Sequence, residues 1–189
     1  MLGTIRRTNG EEGSMTIARF VSAGLSARKG ERPKTIRGPL HVQCNGHGDP
    51  KYLMELLNDV LDWPYIEPIP MPHHLDKVPI RLQELAVTDD AAAFISDTEF
   101  AQVLLAAPTI ILELPLVCAH WAIVKGWAEP HYLQSLGLIP AGTVIVYTPR
   151  DREELEVCRS LFRESYHFAC QSLCGKNDAG IARFDLVTS

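Results

Sequence analysis

A glutamate and a histidine flanking a proline are the residues of this sequence best suited to acid–base chemistry. They occur as Glu129-Pro130-His131, two residues after Trp127. A histidine beside a carboxylate can act as a general base while the carboxylate orients the ring. In the structural alternative, Pro130 fixes the turn, Trp127 fills the core and His131 hydrogen-bonds to a backbone carbonyl. We predict that Glu129 and His131 are catalytic, and the structural alternative stays open.

Three other groupings contain residues that can bind metals, but each is incomplete as a zinc site. One lacks a fourth ligand, one lacks a second cysteine pair, and in the third the two imidazoles point apart along an extended chain. We therefore predict no metal site and no cofactor. The three groupings are His41-x2-Cys44-x2-His47, Cys170-x3-Cys174 and His73-His74.

The composition is that of one globular domain. The chain has 189 residues, of which 46% are hydrophobic and 22% charged, and its formal net charge is −5. A chain of this size can bury a core without a metal or a disulfide. Nucleic acid is excluded as a predicted partner because phosphate binding needs clustered lysine and arginine.

Cysteine usage and the absence of long apolar runs bear on the compartment. The five cysteines are an odd number and no secretory signal precedes them, so a reducing, cytoplasmic location is predicted. The longest apolar run, residues 101–124, is interrupted by prolines and polar residues. We therefore predict no membrane span, since a span needs about 20 apolar residues.

Two amphipathic patterns predict helices that pack against a sheet. Asp49 precedes a proline, and apolar residues then recur at helical spacing over 50–61. A second helix is predicted over 151–170, with the hydroxyl of Thr148 as its N-cap and a proline as the first helical residue.

A third helix is predicted between Pro115 and Gly126. Its residues are apolar nearly all round, and a helix of this kind is expected to be packed on both sides. We therefore predict a buried connector over 115–125, in which His120 is a hydrogen-bonded core residue.

The remaining apolar stretches predict strands joined by short turns, which favours an antiparallel meander. The proline-rich stretch 65–79 is predicted to be a loop or an edge strand. The predicted fold is a single α+β domain in two layers, with a mainly antiparallel sheet of four to five strands against two or three helices. The predicted strands lie at 80–85, 91–96, 99–105, 110–114 and 142–147.

Two blocks of sequence carry a family resemblance. One reads Gly-Trp-Ala-Glu-Pro-His over 126–131, and the other reads Tyr-Thr-Pro-Arg-Asp over 147–151. With Arg37-Gly38-Pro39 upstream and Ser165-Tyr166 downstream, their order resembles the luciferase-like domain family. That family includes the fungal luciferase that oxidises 3-hydroxyhispidin and many uncharacterised proteins of bacteria and fungi. The resemblance extends over about residues 37–172 and implies a flexible arm over 1–36, the domain over 37–174 and a tail over 175–189.

The sequence departs from the family pattern at a cluster of histidines. After a Glu-Phe-Ala like that at 99–101, members carry His-x-His, where this chain has Gln102 and Leu104. A further family histidine on the next strand corresponds to Glu113. Three imidazoles could bind a metal or move protons, and this chain has lost them. For a small-molecule site, we predict that Glu99, Glu113 and Trp127 bind the substrate in a pocket that His131 also lines.

The resemblance implies a luciferase-like domain protein of unknown substrate. It would bind a small phenolic or enolic molecule as a degenerate relative of a cofactor-free oxygenase, with catalysis itself left open. The alternative is a non-catalytic interaction module that uses the proline-rich segment 64–79 or the N-terminal arm. Either is compatible with a homo-oligomer. The arm is predicted to be solvated, with binding of an anionic partner as the alternative. The basic residues in it and next to it are Arg28, Lys29, Arg32, Lys34 and Arg37.

The residues after the apolar helix carry a geometric prediction. Gly126 ends that helix and Pro130 stiffens the path beyond it. We expect Trp127 to be largely buried, and Glu129 and His131 to approach the sheet face that holds Glu99 and Glu113. Half-buried acidic groups would raise one another's pKa and could exchange protons near neutral pH.

Overall fold

The computed structural model describes residues 24–38, 42–43, 48–69 and 76–170. Several sequence predictions fall outside these residues. They are the metal-ligand grouping at 41–47, the histidine pair at 73–74, residue 174 of the cysteine pair, residues 1–23 of the arm and the tail 175–189.

The described residues form three α-helices and seven β-strands. In chain order they are β1 (Thr35–Ile36), β2 (Val42–Gln43), α1 (Pro50–Leu61), β3 (Lys77–Arg81), β4 (Glu99–Leu104), β5 (Thr109–Glu113), α2 (Leu116–Val124), β6 (Ala128–Pro130), β7 (Thr143–Val146) and α3 (Arg152–Ala169).

Five of the strands form one antiparallel sheet in the order β3-β4-β5-β7-β6. This confirms the predicted α+β class. The predicted meander holds for β3, β4 and β5 only, because β7 lies between β5 and β6. Strand β6 was not predicted. It has three residues and its last is a proline, so little in its own sequence favours a strand. Its extended conformation depends on pairing with β7.

Both edges of the sheet contain a proline. Pro79 lies within β3 and Pro130 ends β6, and these two strands are the first and last of the sheet. A proline has no backbone N–H to donate to a neighbouring strand, which is why it is tolerated at an edge. The prediction that the proline-rich stretch 65–79 is a loop or an edge strand is confirmed where that stretch is described.

The helices pack on one face of the sheet. Alternate residues of the strands, such as Val103, Leu112 and Val144, share a buried cluster with Leu57 of α1 and Phe162 of α3. On the other face, β1 and β2 pair with each other, and Val42 packs against a smaller buried cluster formed by Leu104, Ile111 and Ile145. The predicted packing of a sheet on helices is therefore correct.

The N-terminus of α3 differs from the prediction. Its N-cap is Asp151, whose carboxylate accepts a hydrogen bond from the backbone N–H of Glu154 at 2.9 Å. The expected cap, Thr148, instead donates its hydroxyl to the carbonyl of Pro108 and is fully buried. At α1 the predicted cap is correct, because Asp49 accepts from the N–H of Lys51.

Helix α2 is not the buried connector that its composition predicted. Cys118, Ala119 and Ala122 are buried against the sheet, but Leu116 and Val124 are more than half exposed. The prediction that the helix is packed on both sides was wrong, and so was that of a core histidine, because His120 is exposed. A helix that packs against a sheet with one side can expose the other side to solvent, even when that side contains apolar residues.

Two predicted strands were also placed wrongly. The stretch 91–96 contains a 3-10 turn at Ala91–Ala93, because the side chain of Asp90 accepts from the N–H of Ala92 and caps the turn. The strand predicted over 80–85 begins earlier, at Lys77, and ends at Arg81. Short polar residues such as Asp90 favour turns by bonding to nearby backbone.

Candidate functional site

The strand register places most of the predicted site residues on one face of the sheet. Residues directly opposite each other on neighbouring strands share a face. One row across the sheet is Gln102, Ile111, Ile145 and Glu129, and the next row is Glu113, Thr143 and His131. We call the face opposite the helices the carboxylate face, and its residues are Glu99, Gln102, Leu104, Thr109, Ile111, Glu113, Glu129, His131, Thr143 and Ile145.

A bulge in β4 brings Glu99 to this face. Ile80 pairs with Ala101 and Arg81 pairs with Glu99, so the register shifts by one residue between them. Phe100 and Ala101 are both in the cluster on the helix side. Because of the extra residue, the side chains of Phe100 and Ala101 lie on the same face instead of on opposite faces. Glu99 therefore lies on the other face, where its side chain contacts that of Gln102.

The three positions at which the family carries histidine share this face. Gln102 pairs with Ile111 and Leu104 pairs with Thr109, while Glu113 lies two residues beyond Ile111 on the same strand. Histidines at these positions would therefore lie on the carboxylate face, with position 102 between positions 104 and 113. Any proton transfer on this face depends on the titratable side chains that the face does contain.

Glu113 is the most deeply buried of the carboxyls. It is 1% exposed, and burial raises its pKa to about 7, against smaller lowering effects of hydrogen bonds from the Thr143 hydroxyl and the Gly142 N–H. The Thr143 oxygen contacts both the Glu113 carboxyl and, at 3.0 Å, the carbonyl of Pro140. A hydroxyl has one proton to donate. All three groups are satisfied when Glu113 is protonated and donates to Thr143, which donates to Pro140.

Gly142 makes this arrangement sterically feasible. A Cβ at this position would overlap the carbonyl oxygen of Leu114 and a carboxyl oxygen of Glu113. The glycine therefore allows the backbone to approach the carboxyl closely enough to donate a hydrogen bond to it.

Glu129 is the half-buried carboxyl of the face. One of its oxygens accepts from the hydroxyl of Thr35 at 2.6 Å, and the other accepts from the hydroxyl of Tyr147 at 3.0 Å. Burial, followed by the charge of Glu129, raises the pKa of Tyr147 well above its usual value, so this phenol stays a donor. A hydroxyl from β1 and one from the residue after β7 thus fix the orientation of the carboxylate, as a general base requires.

His131 is buried and extends β6 by one residue. Its backbone N–H donates to the carbonyl of Thr143, and its Nδ1 accepts from the N–H of Leu133 at 3.2 Å. The ring therefore caps the 3-10 turn Tyr132–Leu136. This contact stabilises the turn, and it differs from the structural alternative, in which the ring bonded to a carbonyl; a catalytic role of His131 stays a prediction. With Nδ1 as acceptor, the proton of the neutral ring lies on Nε2.

Glu99 is a buried carboxylate at the opposite edge. It is 3% exposed, with the ammonium of Lys77 at 3.8 Å and the guanidinium of Arg81 at 3.4 Å. Both cations belong to the edge strand β3, which therefore neutralises Glu99 from the side facing away from Glu129.

Trp127 is 4% exposed, which confirms that it is largely buried. Its indole N–H donates to the carbonyl of Ser26 at 2.7 Å, and the guanidinium of Arg28 lies over its ring. The segment around residues 26–28 therefore covers the indole of Trp127 and accepts its N–H. A contact between Trp127 and a substrate stays a prediction.

A buried ion-pair network beside Trp127 was missed by sequence reasoning. Arg28 and Arg150 both donate to the carboxylate of Glu154, and the side chains of Arg28 and Glu154 are only 3% and 6% exposed. Arg28 is thus an exception to the predicted solvated arm. The spacing of Arg150 and Glu154, i and i+4, was the available signal, but residue 28 lies 126 positions from Glu154.

The described residues show neither a metal-binding cluster nor a helix that could cross a membrane. No group of three or more His, Cys, Asp or Glu side chains among them could hold a metal ion. Within the same residues, every helix is too short or too polar to span a bilayer. A cavity of about 220 Å³ is present beside the segment 27–32, and none of the predicted site residues lines it.

Together, these features define a two-layer α+β domain with titratable side chains on the sheet face opposite its helices. The family model described as Luciferase domain matches residues 100–165. This match, which extends from β4 into α3, supports the resemblance to the luciferase-like domain family that the sequence blocks at 126–131 and 147–151 predicted. No curated protein and no solved structure matches the chain.

Proposed function

We propose that the chain binds a small phenolic or enolic molecule at the β6 end of the carboxylate face, with Glu129 as the group that meets the acidic hydroxyl. The observation that carries this proposal is the double hydroxyl support of Glu129, half-buried on the same face as Glu113 and His131.

The location at the β6 end follows from what covers the rest of the face. Val42 and Ile95 pack over Ile111 and Ile145, so the centre of the face is filled. Glu129 keeps part of its surface exposed. A ligand there would meet one oriented carboxylate, a polar group of the kind that fixes the orientation of a bound small molecule.

In this proposal the residues have separate roles. Glu129 accepts the ligand's hydroxyl proton or hydrogen bond, and Tyr147 and Thr35 hold its carboxylate in place. Glu113, with a pKa raised to about 7 chiefly by burial, is the group on this face that can take up or release a proton near neutral pH. His131 is a positioning residue in the same row as Glu113 and Thr143.

The test uses 4-chlorophenol, which keeps its proton at pH 7, as the probe and 4-chloroanisole, its methyl ether, as a probe without the acidic hydroxyl. We expect calorimetry at pH 7 to show binding of the phenol, weakened about tenfold or more in Glu129→Gln, since a charge-assisted hydrogen bond contributes roughly 1.5–3 kcal/mol. Glu156→Gln, an exposed change on α3, is the matched control and should bind like the wild type.

Two results would contradict the proposal. One is equal affinity for the phenol and its ether, which would mean that no group recognises the hydroxyl. The other is unchanged binding of the phenol by Glu129→Gln. Tyr147→Phe is expected to weaken binding of the phenol less than Glu129→Gln does. It removes one hydrogen bond to Glu129 but keeps the carboxylate.

The second candidate function is a non-catalytic interaction module, with a homo-oligomer as its form. The observation that favours it is the exposed apolar side of α2, where Leu116, Val117 and Val124 are 64%, 46% and 53% exposed. Exposed apolar side chains gathered on one side of a helix are a common feature of contact surfaces.

If this side of α2 joins two copies of the chain, Leu116→Lys with Val117→Lys should convert a dimer into a monomer. Light scattering during size exclusion would show the change in mass. A wild-type chain that is monomeric over a wide concentration range would argue against this candidate.

A further inference from the structure

The cavity beside the segment 27–32 is rich in cations. Arg28, Arg32 and Lys125 line it, and Glu31 is the only carboxylate among its lining residues. Arg28 is already paired with Glu154, so Arg32 and Lys125 against Glu31 leave the excess of positive charge around a space of about 220 Å³. This volume is below the usual range of pockets for drug-sized ligands, about 300–1,000 Å³, and suits a compact anion.

The two guanidinium groups differ in the donors that they offer to a ligand. The Nη1 of Arg28 has no hydrogen-bond partner in the part of the chain that the structure describes, but it is buried, so the accessible donors belong to Arg32. The Nε and Nη2 of the same side chain are taken by Glu154 and the carbonyl of Thr148. Arg32 donates from Nη2 to the carbonyl of Ile123, and a guanidinium has five N–H groups in all.

The end of α2 also faces the cavity, through Lys125 and Gly126. The carbonyls at a helix C-terminus repel anions. Here the carbonyl of Ile123 accepts from Arg32, and that of Lys125 accepts from the N–H of Arg28. These bonds offset part of the negative field at the helix end.

The backbone leaves room at the same place. Gly126 has a φ of +81°, and a Cβ there would lie 3.7 Å from the Nε of Arg32 and 3.9 Å from the Cβ of Arg28. The glycine is required by its left-handed conformation. Its missing side chain also keeps space open between the two arginines.

We propose that this cavity binds a phosphate group, either free or on a small phosphate ester. Arginine forks match the oxygens of phosphate, and lysine adds a point charge. The site is formed by the N-terminal segment and the end of α2. It shares no residue with the proposed phenol site and stands or falls independently of it.

The test is calorimetric titration of the full chain with inorganic phosphate at pH 7, with sodium chloride keeping the ionic strength constant. We expect saturable binding that weakens about tenfold in Arg32→Gln and in Lys125→Gln, the effect of losing one charge-assisted contact. Glu31→Gln should bind more tightly than the wild type. Arg163→Gln, an exposed change on α3 outside the cavity, is the matched control.

Each result decides for or against the proposal. It is overturned if phosphate gives no more heat than chloride, or if Arg163→Gln weakens binding as much as Arg32→Gln. Tighter binding of phenyl phosphate than of inorganic phosphate would support a site for a phosphate ester. Equal binding of the two would support a site for the free ion.

Discussion

Replacing Glu113 with glutamine is expected to make the protein more stable at pH 8 and to leave its stability near pH 4.5 almost unchanged. The neutral amide can reproduce the bonding of the protonated acid, donating to Thr143 and accepting from the N–H of Gly142. The comparison is made by chemical denaturation of the two proteins across this pH range.

The sign follows from the direction of the pKa shift. Burial raises the pKa of Glu113 from 4.5 to about 7 in the folded protein. Between these values the folded state keeps a proton that the unfolded chain has released, so the free energy of unfolding falls as the pH rises through this window. A shift of this size corresponds to a loss on the order of 3 kcal/mol by pH 8.

The difference between the two proteins isolates Glu113 from the other titrating groups. A gap between wild type and variant that is the same at pH 5 and pH 8 would show that Glu113 is not the group responsible. Glu156→Gln serves again as the control, because an exposed carboxyl on α3 should not change the pH dependence.

Glu154→Ala is expected to destabilise the fold by about 3–5 kcal/mol at pH 7. The substitution leaves the guanidinium of Arg28 buried without its anion, and removing one partner of a buried ion pair has an effect of this size. Burial raises the pKa of Glu154, but hydrogen bonds from Arg150 and Arg28 outweigh it and the net pKa is lowered. Denaturant unfolding measures the loss directly.

Two further variants make this result specific. Glu156→Ala removes an exposed partner of Arg159 on the same helix and should change stability by less than about 1 kcal/mol. Arg28→Met combined with Glu154→Met should recover part of the loss, since an apolar pair can replace a buried ion pair. A cost of Glu154→Ala no larger than that of Glu156→Ala would show that the network does not hold the N-terminal segment in place.

The parts of the fold that could be predicted are those with local signals. Strand β7 has a run of β-branched residues, which favours a strand. Helix α1 has a capping residue, and α3 has an apolar stripe at helical spacing. Strand β6 has no such period, and it exists because β7 offers a partner for Ala128–Pro130.

The candidate site shows the same limit. That Trp127 is buried could be predicted from the glycine and proline around it. That Glu99 lies on the same face as Glu129 depends on the bulge between Glu99 and Ala101, which alternation alone would not predict. The pair of Arg28 and Glu154 depends on where two distant segments meet, and no local pattern encodes it.

The prolines at the two edges limit how this sheet can grow. A strand from another molecule would find an interrupted row of donors at Pro79 on one side and at Pro130 on the other. Joining edge to edge is the route by which sheets form fibrils and by which many peptide ligands are captured. The domain is therefore expected to resist polymerisation through these two edges, and a partner is not expected to add a strand at either of them.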